Sequence, residues 1–217
     1  MYKTVVFDLD GTLLNTLTDL ADAGNRLCRK YGWPTHERQA YRYFVGNGIP
    51  KLVERLAPAD RRTPAVLEAA LADFKRDYGQ HLRDTTAPYP GIPEMLAKLK
   101  ANGVQLAVFS NKADALAKEV VKDYFGTQYF TIVRGQMTGV APKPAAEGTN
   151  ALLQALHADP ASTLYVGDSN VDVETAHNAN LPCCGAVWGF RTREELNAAG
   201  AEYLAENSNE LYDVIMK

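Results

Sequence analysis

The chain has 217 residues, 46% of them hydrophobic and 23% charged, with a formal net charge of −3. This is the profile of an ordinary globular protein, large enough for one big domain or a medium domain with a smaller companion, and its acidic balance gives no basis for a nucleic-acid surface. No run approaches the roughly 20 apolar residues of a membrane span, and Cys28, Cys183 and Cys184 form neither a disulfide framework nor a zinc pattern, so a cytoplasmic protein is expected.

The first predicted strand is the uncharged run Thr4-Val5-Val6-Phe7, and Asp8 and Asp10 stand at its end, followed by Gly11 for a tight turn. Side chains at i and i+2 of an extended segment point the same way, so the two carboxylates are expected to converge. Such a pair is costly when ionised unless a cation stabilises it, and a metal ion is therefore expected.

Asn15 is placed to cap a helix running toward Tyr31 and stopped by Gly32 and Pro34. Residues 36–83 show helical periods, breaks at Gly46, Gly48, Pro58 and Pro64, and no strong strand candidate. A linker at Tyr89-Pro90-Gly91 leads to a helix over 94–102. Strands are then predicted over 104–109, 129–133, 163–166, 183–187 and 201–204, with helices over 113–123, 145–157, 172–180, 193–199 and 209–217. This alternation predicts an α/β fold: a doubly wound parallel sheet (Rossmann-like) core formed by residues 1–15 and 88–217, carrying a small inserted α-helical cap, residues 16–87.

Three clusters follow predicted strands or lie in loops of this core, where ligands of such sheets bind. Ser110-Asn111-Lys112 offers a hydroxyl and an amide beside a predicted helix start; either residue equally explains itself as a helix cap. Lys143, between Pro142 and Pro144, is either an aimed cation or a solvated loop lysine. Gly167-Asp168-Ser169-Asn170-Val171-Asp172 adds two carboxylates, of which helix capping explains one. Three carboxylates at converging strand ends suit an oxygen site for magnesium. Trp188-Gly189-Phe190-Arg191 either borders the site or packs at the surface.

The order D-x-D-G-T, S-N, K-P and G-D-S-x-x-D, from Asp8 to Asp172, resembles the four signature motifs of the haloacid dehalogenase superfamily of phosphohydrolases. The resemblance implies Asp8 as the nucleophile forming an aspartyl-phosphate, and Asp10 as general acid and then base. It implies Lys143 as the charge-balancing catalytic cation, and Thr12, Ser110 and Asn111, with Lys143, around the phosphoryl group. It implies magnesium held by Asp8, Asp168 and the backbone carbonyl of Asp10, with Asp172 assisting directly, through water or through Lys143. The superfamily's dehalogenases lack an acid at the Asp10 position, which disfavours a carbon–halogen substrate.

In the cap, the glycine-rich turn Gly46-Asn47-Gly48 is similar to that of phosphoglycolate phosphatases and either reads the leaving group or simply starts a helix. Arg42 and Lys51 are candidates for a substrate carboxylate or for plain solvation. The implied activity is a magnesium-dependent phosphatase of a small phosphorylated metabolite, phosphoglycolate-like, in a monomer or homodimer with no nucleic-acid or membrane partner. The alternatives are a phosphomutase similar to β-phosphoglucomutase, a phosphatase of nucleotides, sugar phosphates or pyrophosphate, and a signalling receiver domain, the last disfavoured by length, cap and Asp10.

Overall fold

The uncharged run at the N-terminus becomes β1 (Thr4–Phe7), all four residues buried, inside a six-stranded sheet. In this computed structural model, which describes residues 1–217, the chain continues through β2 (Leu14–Asn15), α1 (Leu17–Tyr31), α2 (Arg38–Phe44), α3 (Gly48–Leu56), α4 (Pro64–Gln80), β3 (Ala87–Pro88), α5 (Ile92–Ala101), β4 (Gln105–Ala113), α6 (Asp114–Phe125), β5 (Phe130–Gln136), α7 (Ala146–Leu156), β6 (Thr163–Gly167), α8 (Asn170–Asn178), β7 (Cys183–Ala186), α9 (Arg193–Ala198), β8 (Tyr203–Ala205) and α10 (Ser208–Met216). It divides into two compact units, Met1–Asn15 with Pro88–Lys217, and Thr16–Ala87.

In the first unit every strand pairing is parallel and the order is β5-β4-β1-β6-β7-β8. The chain winds outward from β1 in one direction and then in the other, so β1 marks the place where the strand order reverses. Crevices beyond the carboxyl ends of strands at that place are where ligands of such sheets bind. One face of the sheet buries Val6, Ala107, Tyr165 and Cys183 against Leu152, Leu153 and Leu156 of α7, Val173 and Ala176 of α8 and Leu196 of α9. Val5, Phe7, Leu106 and Val108, their alternating neighbours, are also wholly buried. Fully burying one such side chain contributes about 1.5–3 kcal/mol, which is why this centre is rigid enough to aim the loops above it.

The second unit is helical. Asp19 has both carboxylate oxygens occupied: Oδ1 accepts from Thr85 N and Oγ1 (2.9 and 2.5 Å) and Oδ2 from Thr86 N and Oγ1 (2.9 and 2.7 Å), so the two ends of the unit are tied together. Gly24 is required by packing, since a Cβ there would lie 2.5 Å from the Tyr41 ring.

Three local expectations are corrected. Thr16, not Asn15, takes the N-cap position of α1, while Asn15 is exposed in β2; that short strand and β3 pair as a separate ladder the sequence did not signal. β4 runs on through Ser110-Asn111-Lys112, so neither Ser110 nor Asn111 caps a helix: α6 starts at Asp114, with Ala113 as N-cap. α8 starts at Asn170, two residues before the expected position, because Ser169 caps it and Asp172 completes a capping box.

Candidate active site

Phe7 pairs in register with Val108 of β4 and Val166 of β6. Asp8, Phe109 and Gly167 therefore stand at one level across the three strands, and Ser110 and Asp168 follow one step on. Asp8 keeps the pairing, its N–H donating to Val166 O at 2.8 Å. The chain then bends at Leu9, whose carbonyl accepts from Leu13 N and Leu14 N, both at 3.0 Å. Beyond this bend the two aspartate side chains take different nearest partners. The Asp8 carboxylate joins those of Asp168 and Asp172, with oxygens of all three within 4.8 Å of one another. The Asp10 carboxylate instead meets Lys112, whose Nζ lies 3.1 and 3.3 Å from its two oxygens. The two side chains thus differ in their ion-pair partner, Lys143 for Asp8 and Lys112 for Asp10, and the Asp10 backbone carbonyl is the group the resemblance implies at a metal.

Two glycines make room for Asp168. Gly11 has φ +94° and a Cβ there would stand 2.3 Å from Asp168 Oδ2; a Cβ on Gly189 would stand 2.2 Å from Asp168 Cβ. Asp168 is fixed by Thr12, whose wholly buried hydroxyl donates to Oδ1 at 3.2 Å, and by Phe190 N–H, which donates to Oδ2 at 2.7 Å. Thr12 thus braces a carboxylate, while its carbonyl accepts from Trp188 Nε1 at 3.0 Å. The Trp188-Gly189-Phe190-Arg191 segment therefore borders the site and holds both acidic loops. Its contribution is largely through backbone N–H groups, and its place after a late strand was the sequence signal for it.

The end of β4 is a bulge. Phe109 pairs with Arg134 and Ala113 with Gln136, so Ser110, Asn111 and Lys112 stand opposite the single residue Gly135. Bulges of this kind redirect side chains beside active sites, and the three polar residues diverge. Ser110 Oγ accepts from Lys112 N at 3.2 Å. Asn111 clamps the Lys143 backbone, accepting from Lys143 N at 2.8 Å and donating to Lys143 O at 3.3 Å. Asn111 thereby positions the lysine rather than presenting its whole amide to a phosphate.

Lys143 is the hub. Its Nζ lies 2.7 Å from Asp172 Oδ1, 2.8 Å from Asp8 Oδ1 and 3.3 Å from Tyr165 OH, with the side chain 2% exposed. Asp172 Oδ2 accepts from Ser169 N (3.1 Å) and Oγ (2.7 Å), so the α8 capping box fixes the acid that fixes the lysine. The solvated-lysine reading is excluded.

Three buried carboxylates against one buried ammonium leave an excess of negative charge. Burial pushes the Asp8 carboxyl up, the Lys143 ammonium pulls it down and Asp172 pushes it up again, for a net value of about 7. Burial, then Asp172 and Asp8, hold Asp168 well above the usual carboxylate range. Burial works against the Lys143 charge, but Asp172 and Asp8 win and raise it well above its ordinary value. Asp8 Oδ1 is buried with no aligned hydrogen bond, although the ammonium is close. Hard oxygen donors in excess of the ammonium beside them fit a divalent cation.

The cap residues belong to the other unit. Gly46 and Gly48 have φ +114° and +81°, a backbone that side-chain-bearing residues rarely adopt. Arg55, which sequence reasoning passed over, secures this turn: Nη1 donates to Phe44 O and Nη2 to Asn47 Oδ1, both at 2.8 Å. Lys51 pairs with Glu54 at the surface.

Known proteins resemble this chain along nearly its whole length. A family model described as haloacid dehalogenase-like hydrolase matches residues 5–186. A curated phosphoglycolate phosphatase of Chromobacterium violaceum is 32% identical over 98% of this chain and 96% of its own, and that of Vibrio parahaemolyticus is 28% identical over the same shares. A crystal structure of a candidate phosphoglycolate phosphatase from Lactobacillus delbrueckii subsp. bulgaricus superposes with a TM-score of 0.93 at 28% identity, over 99% of this chain and 98% of that one.

Proposed function

The chain belongs to the haloacid dehalogenase-like hydrolase family, and we propose that it is a magnesium-dependent phosphatase of a small, phosphoglycolate-like monoester, working through a phosphoryl group carried on Asp8. The observation that carries this reading is the buried group of Asp8, Asp168 and Asp172 around Lys143 at the carboxyl end of β1. The substrate class rests on the names of the relatives.

In this reading an Asp8 oxygen attacks phosphorus, the ester P–O bond breaks, and the leaving oxygen takes a proton from Asp10. Water then attacks the phosphoryl group, giving its proton to Asp10 as the bond to Asp8 breaks. Lys143 keeps the Asp8 carboxylate oriented and offsets charge on the transferring group, where alignment and positive charge do most of the catalytic work. Asp8, Asp168 and the Asp10 carbonyl would hold magnesium, with Asp172 acting through Lys143; the ion supplies positive charge at the phosphoryl oxygens. Ser110, with Lys143, would receive the phosphoryl group, Thr12 and Asn111 would support that pocket through Asp168 and Lys143, and the turn Gly46-Asn47-Gly48 would select the leaving group.

Three free, buried cysteines suit a reducing, cytoplasmic setting, and no helix is long and apolar enough to cross a membrane. The test is phosphate release from phosphoglycolate, nucleoside monophosphates, sugar phosphates and pyrophosphate, with magnesium or with chelator. Magnesium-dependent release, fastest from phosphoglycolate and abolished by Asp8→Asn, is expected. Persistent release in the Asp8→Asn protein would remove the nucleophile assignment.

A further inference from the structure

The bulge at the end of β4 aims one buried cation that the transfer described above does not use. We infer that Lys112 is a positioning residue for Asp10, holding its carboxylate where it takes the proton from the water that frees phosphate from Asp8. The inference rests on the reading of Asp10 as proton carrier and adds the group that aims it.

Both ends of this lever are fixed. Lys112 N–H donates to Ser110 Oγ, and the Lys112 carbonyl lies so close to β5 that a Cβ on Gly135 would be 2.4 Å from it. At the other end, Nζ reaches both Asp10 oxygens, at 3.1 and 3.3 Å, from a side chain 3% exposed. Lysines are almost never buried unless paired, and a solvated surface role does not describe this one. Asp10 itself sits just past the bend at Leu9, bridged to Leu14, and its side chain has several staggered rotamers open to it in principle. The ion pair selects one of them.

The two half-reactions place different demands on Asp10. With p-nitrophenyl phosphate, the first transfer forms the Asp8–phosphorus bond while the ester oxygen leaves as a stable phenolate, taking the bonding electrons and needing no proton. In the second, water forms a bond to phosphorus and gives its proton to Asp10, and the electrons of the breaking bond return to Asp8. With this ester, the contribution of Lys112 falls in the second step.

The experiment compares Lys112→Met and Lys112→Arg with the parent protein, in magnesium, by steady-state and stopped-flow assay of p-nitrophenolate release. kcat/KM reports events through the transfer to Asp8, whereas kcat reports the slower half-reaction. General base catalysis is worth about 10²–10⁴-fold, so Lys112→Met is expected to lower kcat at least about tenfold while kcat/KM stays within about threefold. A burst of phenolate equivalent to the enzyme should precede the slow phase, and Lys112→Arg should recover most of kcat. Equal loss of kcat and kcat/KM without a burst would overturn the inference, assigning Lys112 to phosphoryl binding or to the fold. Asp10→Asn separates the two layers. If it shows the burst and Lys112→Met does not, the Lys112 inference fails alone; if it shows none, the reading of Asp10 fails and takes the inference with it.

Discussion

Replacing Lys143 by methionine tests whether one buried cation organises the acids at the end of β1. Its Nζ lies 2.7 Å from Asp172 and 2.8 Å from Asp8, shielded from water. At an effective dielectric of about 20, each pair has a gross attraction of about 6 kcal/mol, largely offset by lost hydration. What the substitution exposes is therefore the stranding of two carboxylates, a loss of about 3–5 kcal/mol. At about 2–4 °C per kcal/mol for a chain of this size, the metal-free melting point should fall by roughly 6–20 °C. A total stability of about 5–15 kcal/mol leaves the variant folded at room temperature in most of that range. Adding Asp172→Asn removes one stranded charge, so the double variant should melt above Lys143→Met alone, while phosphate release stays at least about 10²-fold down in both. Thermal melts by circular dichroism in chelator, with phosphate release measured alongside, decide the matter. A Lys143→Met melting point within about 2 °C of the parent, or a double variant melting below the single one, would refute the buried-charge reasoning.

Because burial lifts the Asp8 carboxyl to about 7, the metal-free native state retains a proton that the unfolded chain has released, so this site loses stability as pH rises from about 4 to about 7. The melting-point advantage of the parent over Asp8→Asn should therefore shrink from about pH 5 to about pH 8 in chelator and recover with magnesium, which favours the ionised carboxylates; an advantage that grows with pH in chelator would contradict this. Gly11→Ala combines φ +94° with a Cβ 2.3 Å from Asp168 Oδ2, and should cost about 1–3 kcal/mol and raise the magnesium concentration for half-maximal activity. Gly32→Ala, at φ +67° with open space around it, should lower the melting point and leave the magnesium requirement alone. Asp19→Asn replaces an acceptor of two N–H and two hydroxyl groups by one that can serve half of them, and should destabilise by about 1–3 kcal/mol for each donor left buried and unpaired, read from the melting curve.

The acids were legible because their neighbours advertise them. Val5-Val6-Phe7 and Leu164-Tyr165-Val166 are uncharged strand formers, and an aspartate directly after the first and one glycine after the second marks the sheet's carboxyl edge. The glycines added a second clue whose meaning needed three dimensions: Gly11 is where a side chain would strike Asp168, an acid 157 positions later in the chain. The path of β4 was not legible. Ser110, Asn111 and Lys112 look like the end of a strand because they are polar, yet β5 continues beside them, and the register between the two strands is a property of neither segment alone.

That bulge also explains why the cations were harder to place than the anions. Asp8, Asp168 and Asp172 sit on or just beyond regular elements, so position along the chain nearly fixes position in space. Lysine targets are set at the far end of a long, flexible stem. Lys143 reaches Asp8 and Asp172 because Asn111 of β4 grips its backbone from both sides. Lys112 reaches Asp10 because three residues of β4 are folded into the space opposite Gly135. The same irregularity therefore holds the backbone of one cation and aims the other. A deletion within residues 110–112 should disturb Asp8 and Asp10 together, although neither aspartate would itself be changed.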